Sequence, residues 1–227
     1  MDNVFYDGDG RQVHCAVNLD EEANNSRASI DSGLDRAAAR GEVIELYAHA
    51  PGKTVTLDKL EYTLAGAAAR GLRFVLYSEF ARGEGHGPGI ALSLDDASVQ
   101  LWTDARPLFD RYGAKITFFV SRYHRLGPAL RDQLRALAAD GHEIAAHTVN
   151  HLRGPEFVED HGLERYLTEE VVPSIQILRD DGYDVTAFAY PYGARTSETD
   201  RAILEHVPIL RAVSFSWGAP VQDGCPR

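Results

Sequence analysis

Two pairs of polar residues follow apolar runs of this chain, and their types suit metal-dependent hydrolysis. Asp95 and Asp96 end one run, and His147 and His151 follow another. Two histidines four residues apart share one face of a helical turn, so both imidazoles can bind one cation. One carboxylate would complete a site with an open position, and the other would serve as a general base. These residues therefore predict a metal-dependent hydrolase.

Each pair also has a simpler explanation. Asp is a favoured N-cap residue, so Asp95 and Asp96 could merely begin the next helix. His147 and His151 could lie on a solvated turn. Both pairs follow strand-like runs, however, and the C-terminal ends of parallel strands meet at one rim of a barrel. That coincidence favours the metal site.

The composition restricts the kind of partner. The chain has 227 residues and a formal net charge of −11, and no basic tract occurs in it. Nucleic-acid binding draws on clustered Lys and Arg, so we expect no nucleic-acid partner. No apolar stretch is long enough to span a membrane. A neutral substrate such as a sugar, an amide or an ester is expected, and the oligomeric state is left open.

Short apolar runs alternate with helical patterns along the chain. The predicted strands are Val13–Val17, Val43–Tyr47, Arg73–Tyr77, Ile90–Leu94, Ile116–Val120, Glu143–Ala146, Val185–Ala189 and Ala212–Phe215. The predicted helices are Ala28–Arg40, Leu57–Arg70, Val99–Tyr112, Pro128–Ala139, Leu163–Asp180 and Glu198–Glu205. Continuous apolar strands between helices indicate a parallel sheet covered by helices. We predict an α/β fold, a distorted (β/α) barrel of about seven to eight strands in one domain.

Three segments resemble motifs of the polysaccharide deacetylases, also called the NodB-homology family or carbohydrate esterase family 4. Ser93–Asp96 resembles the first motif, Thr-Phe-Asp-Asp, and His147–His151 resembles the second, His-Ser/Thr-x-x-His. Phe188–Gly193 resembles the third, Arg-x-Pro-Tyr-Gly. The resemblance runs from Gly89 to about Phe215 in the family's order.

The resemblance implies definite roles at the site. Asp96, His147 and His151 would bind a divalent metal, typically Zn²⁺, with Co²⁺ or Ni²⁺ as alternatives. Asp95 would be the base that takes a proton from the metal-bound water. The backbone N–H of Tyr192 would help to stabilise the oxyanion.

Four further residues enter through the same resemblance. The family has a Leu-x-x-His motif whose His protonates the leaving group, and Leu46–His49 matches it. His49 would then be the general acid, because a histidine titrates near neutral pH. Leu46, Pro191 and Trp217 would contact the substrate, although Trp217 could equally be a partly buried rim residue.

The position of His49 implies a rearranged chain. The family's acid motif normally follows the others, but His49 precedes them, and His206 lacks the motif. We interpret the order as a circular permutation of a single catalytic domain spanning residues 1–227. Residues 1–82 would carry the usual C-terminal elements, 83–89 would be a connector, and 90–227 would carry the rest. A closed barrel permits this because its old and new ends can lie close together.

One residue departs from the family pattern. The third motif's Arg, which normally pairs with the base, is replaced by Ala189. Asp95 would then lose a positive charge that holds its pKa down. Arg195 is near in sequence and could substitute.

Cys15 and Cys225 are the only cysteines in the chain. They are either independent thiols or one bridge between the two ends, and a permuted chain would bring these ends together. The family's habit of acting on cell-surface glycans implies an extracytoplasmic protein, periplasmic or secreted, whose export signal is absent here.

We therefore predict a hydrolase that removes N- or O-linked acetyl groups from an acetylated carbohydrate. Because Ala189 replaces the Arg, hydrolysis of a non-sugar amide or imide is an alternative. A non-catalytic carbohydrate-binding protein that retains the metal site is a second alternative, although Asp95 would be unnecessary for binding alone.

Overall fold

Nine β-strands lie in the part of the chain that the structure, a computed structural model, describes, namely residues 2–214 and residue 225. They are β1 (Phe5–Tyr6), β2 (Val13–Asn18), β3 (Val43–Ala48), β4 (Arg73–Phe74), β5 (Gly89–Asp96), β6 (Thr117–Val120), β7 (Glu143–Ala146), β8 (Ala187–Ala189) and β9 (Ile209–Val213). Seven of them pair in the order β3-β2-β9-β8-β7-β6-β5, and β5 pairs with β3 to close a barrel. All seven pairings are parallel. The prediction of a (β/α) barrel is confirmed.

Helices cover the outside of this barrel. They are α1 (Arg27–Arg40), α2 (Leu57–Ala69), α3 (Tyr77–Ala81), α4 (Val99–Asp104), α5 (Arg106–Tyr112), α6 (Pro128–Ala139), α7 (Gly154–His161), α8 (Leu163–Tyr166), α9 (Val172–Asp180) and α10 (Ser197–Ile203). The side-chain oxygens of Ser26 and Thr56 cap the N-termini of α1 and α2, which satisfies amide groups that have no partner within the helix. No helix among the described residues has the length and apolarity that a membrane crossing requires.

Side chains alternate along each strand between the barrel interior and the helices. Apolar residues such as Leu92 and Phe118 pack outward in the main hydrophobic core. The inward positions of several strands instead carry polar groups, among them Glu45, Asp95 and Arg211, which are all buried. Because strand side chains have a period of two, the polar residues on these strands share the inner face of the barrel.

Some predicted elements differ from the observed ones, and proline explains two of the differences. The predicted helix 99–112 breaks between α4 and α5, with Pro107 in the first turn of α5. The predicted helix 163–180 is interrupted by a π-helical segment, Leu167–Val171, just before Pro173. Proline lacks the N–H that continues a helix and crowds the preceding turn.

Two strand predictions were also inaccurate. Only Arg73–Phe74 of the predicted strand 73–77 pairs as a strand, and Tyr77 begins α3. The last strand begins at Ile209, three residues before its predicted start, and ends at Val213. The predicted end of that strand, Phe215, lies outside the described residues.

A disulfide joins Cys15 of β2 to Cys225, with 6.1 Å between their Cα atoms. It closes a loop with a sequence separation of 210 residues. In the chain-entropy account, a loop of that length lowers the entropy of the unfolded chain enough to stabilise the fold by roughly 5 kcal/mol.

We therefore expect Cys225→Ser to unfold at a clearly lower denaturant concentration than the wild type. Chemical denaturation of both proteins without reductant measures the difference. Intact-mass analysis with an alkylating reagent provides the control, since finding two free thiols in oxidised wild-type protein would contradict the bridge.

Candidate active site

Asp96, His147 and His151 meet at the C-terminal rim of the barrel. One ligand atom of each residue lies within 4.8 Å of the other two. Asp96 Oδ1 is 3.0 Å from His151 Nε2 and 3.6 Å from His147 Nε2. Asp96 ends β5, and the histidines follow β7, so two parallel strands bring the group to one edge. The histidines lie in a loop and not on the helical turn that their spacing predicted.

The chemistry of these three donors fits a divalent cation. His147 Nδ1 donates a hydrogen bond to the Ala189 carbonyl at 2.8 Å, which leaves the lone pair on Nε2 facing Asp96. Asp96 Oδ1 is buried but has no partner in hydrogen-bond geometry within the described residues. Burial, aided by the nearby His151, holds the pKa of His147 well below its ordinary value, so the ring is neutral as a metal ligand must be. A cation would satisfy these facing lone pairs.

The backbone of the site is held in an uncommon conformation. Asp96, Thr148, His151 and Tyr192 have φ values of 84°, 63°, 63° and 59°. Non-glycine residues in this left-handed region cost about 1–3 kcal/mol each and persist only where their surroundings fix them. Such strain is characteristic of functional sites.

Asp95, the predicted base, lies inside the barrel in an ion pair with Arg211 of β9. Arg211 Nη2 donates to Asp95 Oδ2, and the two residues are 0% and 2% exposed. Burial raises the pKa of the Asp95 carboxyl, while the Arg211 charge opposes that rise. Asp95 Oδ1 is buried and has no hydrogen-bond partner in the described part of the chain, so it is available to accept a proton.

The structure answers the question raised by Ala189. Ala189 of β8 and Arg211 of β9 are direct neighbours in the strand register. The Arg211 guanidinium therefore reaches Asp95 from the strand next to β8, level with Ala189. Arg195, the substitute considered from sequence, instead forms a buried ion pair with Asp200. Asp95 therefore keeps a cationic partner, but this partner is Arg211 and not Arg195, and it lies on a strand that the motif does not include.

His49, the predicted acid, follows β3 and is held by Asp20. His49 Nδ1 forms an ion pair with Asp20 Oδ2, and its backbone N–H donates to Asp20 Oδ1 at 3.2 Å. Burial alone would lower the pKa of His49, but Asp20, Asp95 and Asp96 together raise it to about 9. The imidazole therefore carries a proton at neutral pH, as a general acid must.

Asp20→Asn is expected to lower the pKa of His49, because it removes the negative charge that stabilises the imidazolium while burial still opposes protonation. An NMR titration of the imidazole C–H signals in metal-free protein measures this pKa. Glu21→Gln is the matched control, since Glu21 is exposed and bonds to Thr56. A His49 pKa unchanged by Asp20→Asn would contradict the assigned role of Asp20.

Tyr192 lies in a tight turn after β8, Pro191–Gly193. The residue is 53% exposed, and its ring lies 4.8 Å from the His151 ring, measured between centroids. Gly193 is required there, because a Cβ on it would lie 2.2 Å from a methyl group of Val213. The turn thus brings Tyr192 to the metal-ligand group, while the assignment of its N–H as an oxyanion donor stays a prediction.

The structure describes two of the three residues predicted to contact the substrate. Leu46 points outward from β3 and lines a cavity of about 500 Å³ beside α1, so the structure does not bring it to the site. The alternation along β3 places Tyr47 inside instead, with its ring 5.6 Å from that of His49 and 5.0 Å from the Arg211 guanidinium. Pro191 is buried in its turn. Trp217 lies outside the described residues.

Arg211 and Asp20 are the site residues that sequence reasoning missed. Each carried a signal: Arg211 is a lone charge within an apolar run, and Asp20 lies two residues after the end of β2. An isolated charge in a buried strand costs too much unless it is paired. That argument could have identified Arg211 but not its partner.

Comparison with known proteins points to one family. The family model for polysaccharide deacetylases matches residues 82–208. The chain is 27% identical to the putative polysaccharide deacetylase YxkH of Bacillus subtilis (strain 168), over 59% of this chain and 47% of that protein. It is 33% identical to a gellan lyase of Bacillus sp, over 46% of this chain but 4% of that protein. The chain spans less than half of either relative.

Solved structures share the barrel. A polysaccharide deacetylase from Bacillus cereus, BC0361, superposes with a TM-score of 0.64 at 15% identity, covering 79% of this chain and 61% of that one. IcaB from Ammonifex degensii gives a TM-score of 0.61 at 22% identity, covering 81% of this chain and 90% of that one. At these identities the likeness establishes the fold.

Proposed function

The chain belongs to the polysaccharide deacetylase family, and from this premise we propose that it is a metal-dependent hydrolase that removes N- or O-linked acetyl groups from a carbohydrate. The observation that supports this most strongly is the pairing of a buried base with a protonated acid. Asp95 is paired with Arg211, and His49 is paired with Asp20. Asp95 directly precedes Asp96, a predicted metal ligand. The charges of Asp95 and Asp96 both act on the pKa of His49, so the imidazole lies near both carboxylates.

Asp96, His147 and His151 would hold the metal, most simply Zn²⁺. A metal there lowers the pKa of water toward 7 and polarises a carbonyl oxygen. Asp95 accepts the proton of the attacking water as its oxygen bonds to the acyl carbon. His49 donates its proton to the leaving nitrogen or oxygen as that atom's bond to the acyl carbon breaks. Acetate and the free amine or alcohol result.

This proposal is tested by measuring acetate release from a panel of acetylated oligosaccharides. We expect the wild type to release acetate from at least one of them. Asp95→Asn should bind metal normally but lose the 10²–10⁴-fold that a general base typically contributes. Asp200→Asn, in the other buried Arg–Asp pair, controls for loss of folding. Equal rates for wild type and Asp95→Asn would contradict the assignment of the base.

Binding without catalysis is the rival function. A binding protein would need neither a desolvated carboxylate with an unpartnered oxygen nor a histidine kept protonated by Asp20. The panel separates the two, since metal content and oligosaccharide binding without any acetate release would favour the rival. Hydrolysis of a non-sugar amide or imide, with no acetate released from any oligosaccharide, would favour the alternative hydrolase.

We also propose that the chain is circularly permuted and acts outside the cytoplasm. The permutation is supported by the six-residue register of β3 against β5, which seats the His49 strand beside the Asp95 strand. The Cys15–Cys225 disulfide supports an oxidising compartment. A rearranged protein that begins at residue 83 and joins 227 to 1 should fold and keep its activity, and an inactive, unfolded product would count against the permutation.

A further inference from the structure

A π-helical turn packs against the loop that carries the two histidines. The segment Leu167–Val171 widens the helix immediately before Pro173. Pro173 cannot bond to the carbonyl four residues earlier, that of Glu169, and its ring crowds that carbonyl. Single π-turns inside helices recur at functional sites. Two adjacent acidic residues of this segment differ in burial: Glu170 is 1% exposed, whereas the Glu169 side chain is 47% exposed and pairs with Arg165.

Glu170 makes three hydrogen bonds to the loop between His147 and His151. Its Oε2 accepts from the Asn150 backbone N–H at 2.8 Å, and its Oε1 accepts from Asn150 Nδ2 at 2.6 Å. Its carbonyl accepts from the Val149 N–H at 3.1 Å. A single buried residue therefore fixes both residues that immediately precede His151.

The loop needs such support because its backbone is strained. Thr148 and His151 both have a φ of 63°, and each such residue relaxes unless its neighbours prevent it. Within the loop, Thr148 Oγ1 accepts from the His151 N–H at 2.9 Å. Outside the loop, Glu170 makes the two short side-chain bonds to Asn150, while Arg125 Nη2 donates to Asn150 Oδ1 at 3.5 Å. Asn150 is the residue next to His151.

We propose that Glu170 is a positioning residue that holds His147 and His151 in metal-binding geometry, and that the π-turn before Pro173 exists to place it there. The inference rests on the proposed function in one respect: Asp96, His147 and His151 must bind a divalent cation. It goes further by assigning the geometry of that site to a residue on a different helix. Groups that orient metal ligands typically change metal affinity by 10–100-fold when they are replaced.

The test compares Glu170→Gln, Glu170→Ala and the control Glu169→Gln. The first measurement is the Zn²⁺ dissociation constant, from competition with a chromophoric chelator. The second is the visible spectrum of the Co²⁺-loaded protein, which reports coordination geometry. Glu170→Gln keeps the shape and one acceptor oxygen, so we expect about 10-fold weaker Zn²⁺ binding, and about 100-fold for Glu170→Ala. Both should alter the Co²⁺ spectrum, while Glu169→Gln should match the wild type.

The outcomes separate this inference from the proposed function. A wild type that binds neither Zn²⁺ nor Co²⁺ would overturn both. A wild type that binds metal, with Glu170→Gln equal to it in affinity and Co²⁺ spectrum, would overturn the role of Glu170 alone. Recovery of acetate release by Glu170→Gln at saturating Zn²⁺ would support positioning, because the residue would then act through the metal site and not on the substrate.

Discussion

Arg211→Met is expected to destabilise the protein by about 3–5 kcal/mol, since removing one member of a buried ion pair leaves the other charge uncompensated. Arg211 and Asp95 are 0% and 2% exposed, so water cannot replace the lost partner. The same change should raise the pKa of Asp95, because burial already raises it and Arg211 opposes that rise. A base works only above its pKa, so the acid limb of the rate profile should move to higher pH. Denaturant unfolding and the pH dependence of acetate release measure the two effects.

Arg195→Met separates the catalytic consequence from the structural one. Arg195 and Asp200 form a second buried ion pair, and Asp95 pairs with Arg211 instead. Arg195→Met should therefore lose comparable stability while the acid limb stays in place. Arg211→Lys, which keeps the charge, should shift the limb less than Arg211→Met. If Arg195→Met and Arg211→Met moved the limb equally, Arg211 would have no specific role toward the base.

His147→Ala and His49→Ala should separate metal binding from proton donation. His147 is buried with its Nε2 toward Asp96, so His147→Ala should lose both bound metal and acetate release. His49 pairs with Asp20 and not with the ligand group, so His49→Ala should retain metal and lose roughly 10²–10⁴-fold in turnover. Elemental analysis of the purified variants, alongside acetate release, makes the comparison. Full activity in His49→Ala would remove the general acid from the mechanism and the functional support for the permutation.

The parts of the site that could be predicted are those encoded by short sequence patterns. Asp95 and Asp96 end an apolar strand, and His147 and His151 lie shortly after another. Parallel strands bring such residues to one rim whatever the details of their pairing. His49 follows the same rule. These residues meet because of the fold class alone, and the alternation of strands and helices predicts that class.

The parts that were missed depend on register and side-chain direction. The pairing of Arg211 with Asp95 depends on the register that sets Arg211 beside Ala189 across β8 and β9, and a sequence does not state which residues of two strands face each other. Leu46 was misplaced by one position, and one position along a strand reverses the side chain's direction. Tyr47 accordingly takes the inward place.

The π-turn was missed for a different reason. Helical periodicity runs through residues 163–180, and a proline inside such a pattern predicts a break or a kink without saying which. In the structure one turn is widened, and within it Glu170 is buried while Glu169 is exposed. Tertiary packing against the histidine loop makes that choice, and local sequence does not contain it.

Metal removal and restoration tests the central claim most directly. Wild-type protein is stripped with a chelator, dialysed and assayed for acetate release from an acetylated oligosaccharide that the untreated protein hydrolyses, before and after one equivalent of Zn²⁺ is added. We predict that release ceases on stripping and returns with Zn²⁺ in the wild type, and that Zn²⁺ restores nothing in His147→Ala. Undiminished acetate release from the stripped wild type would contradict a metal-dependent deacetylase at Asp96, His147 and His151.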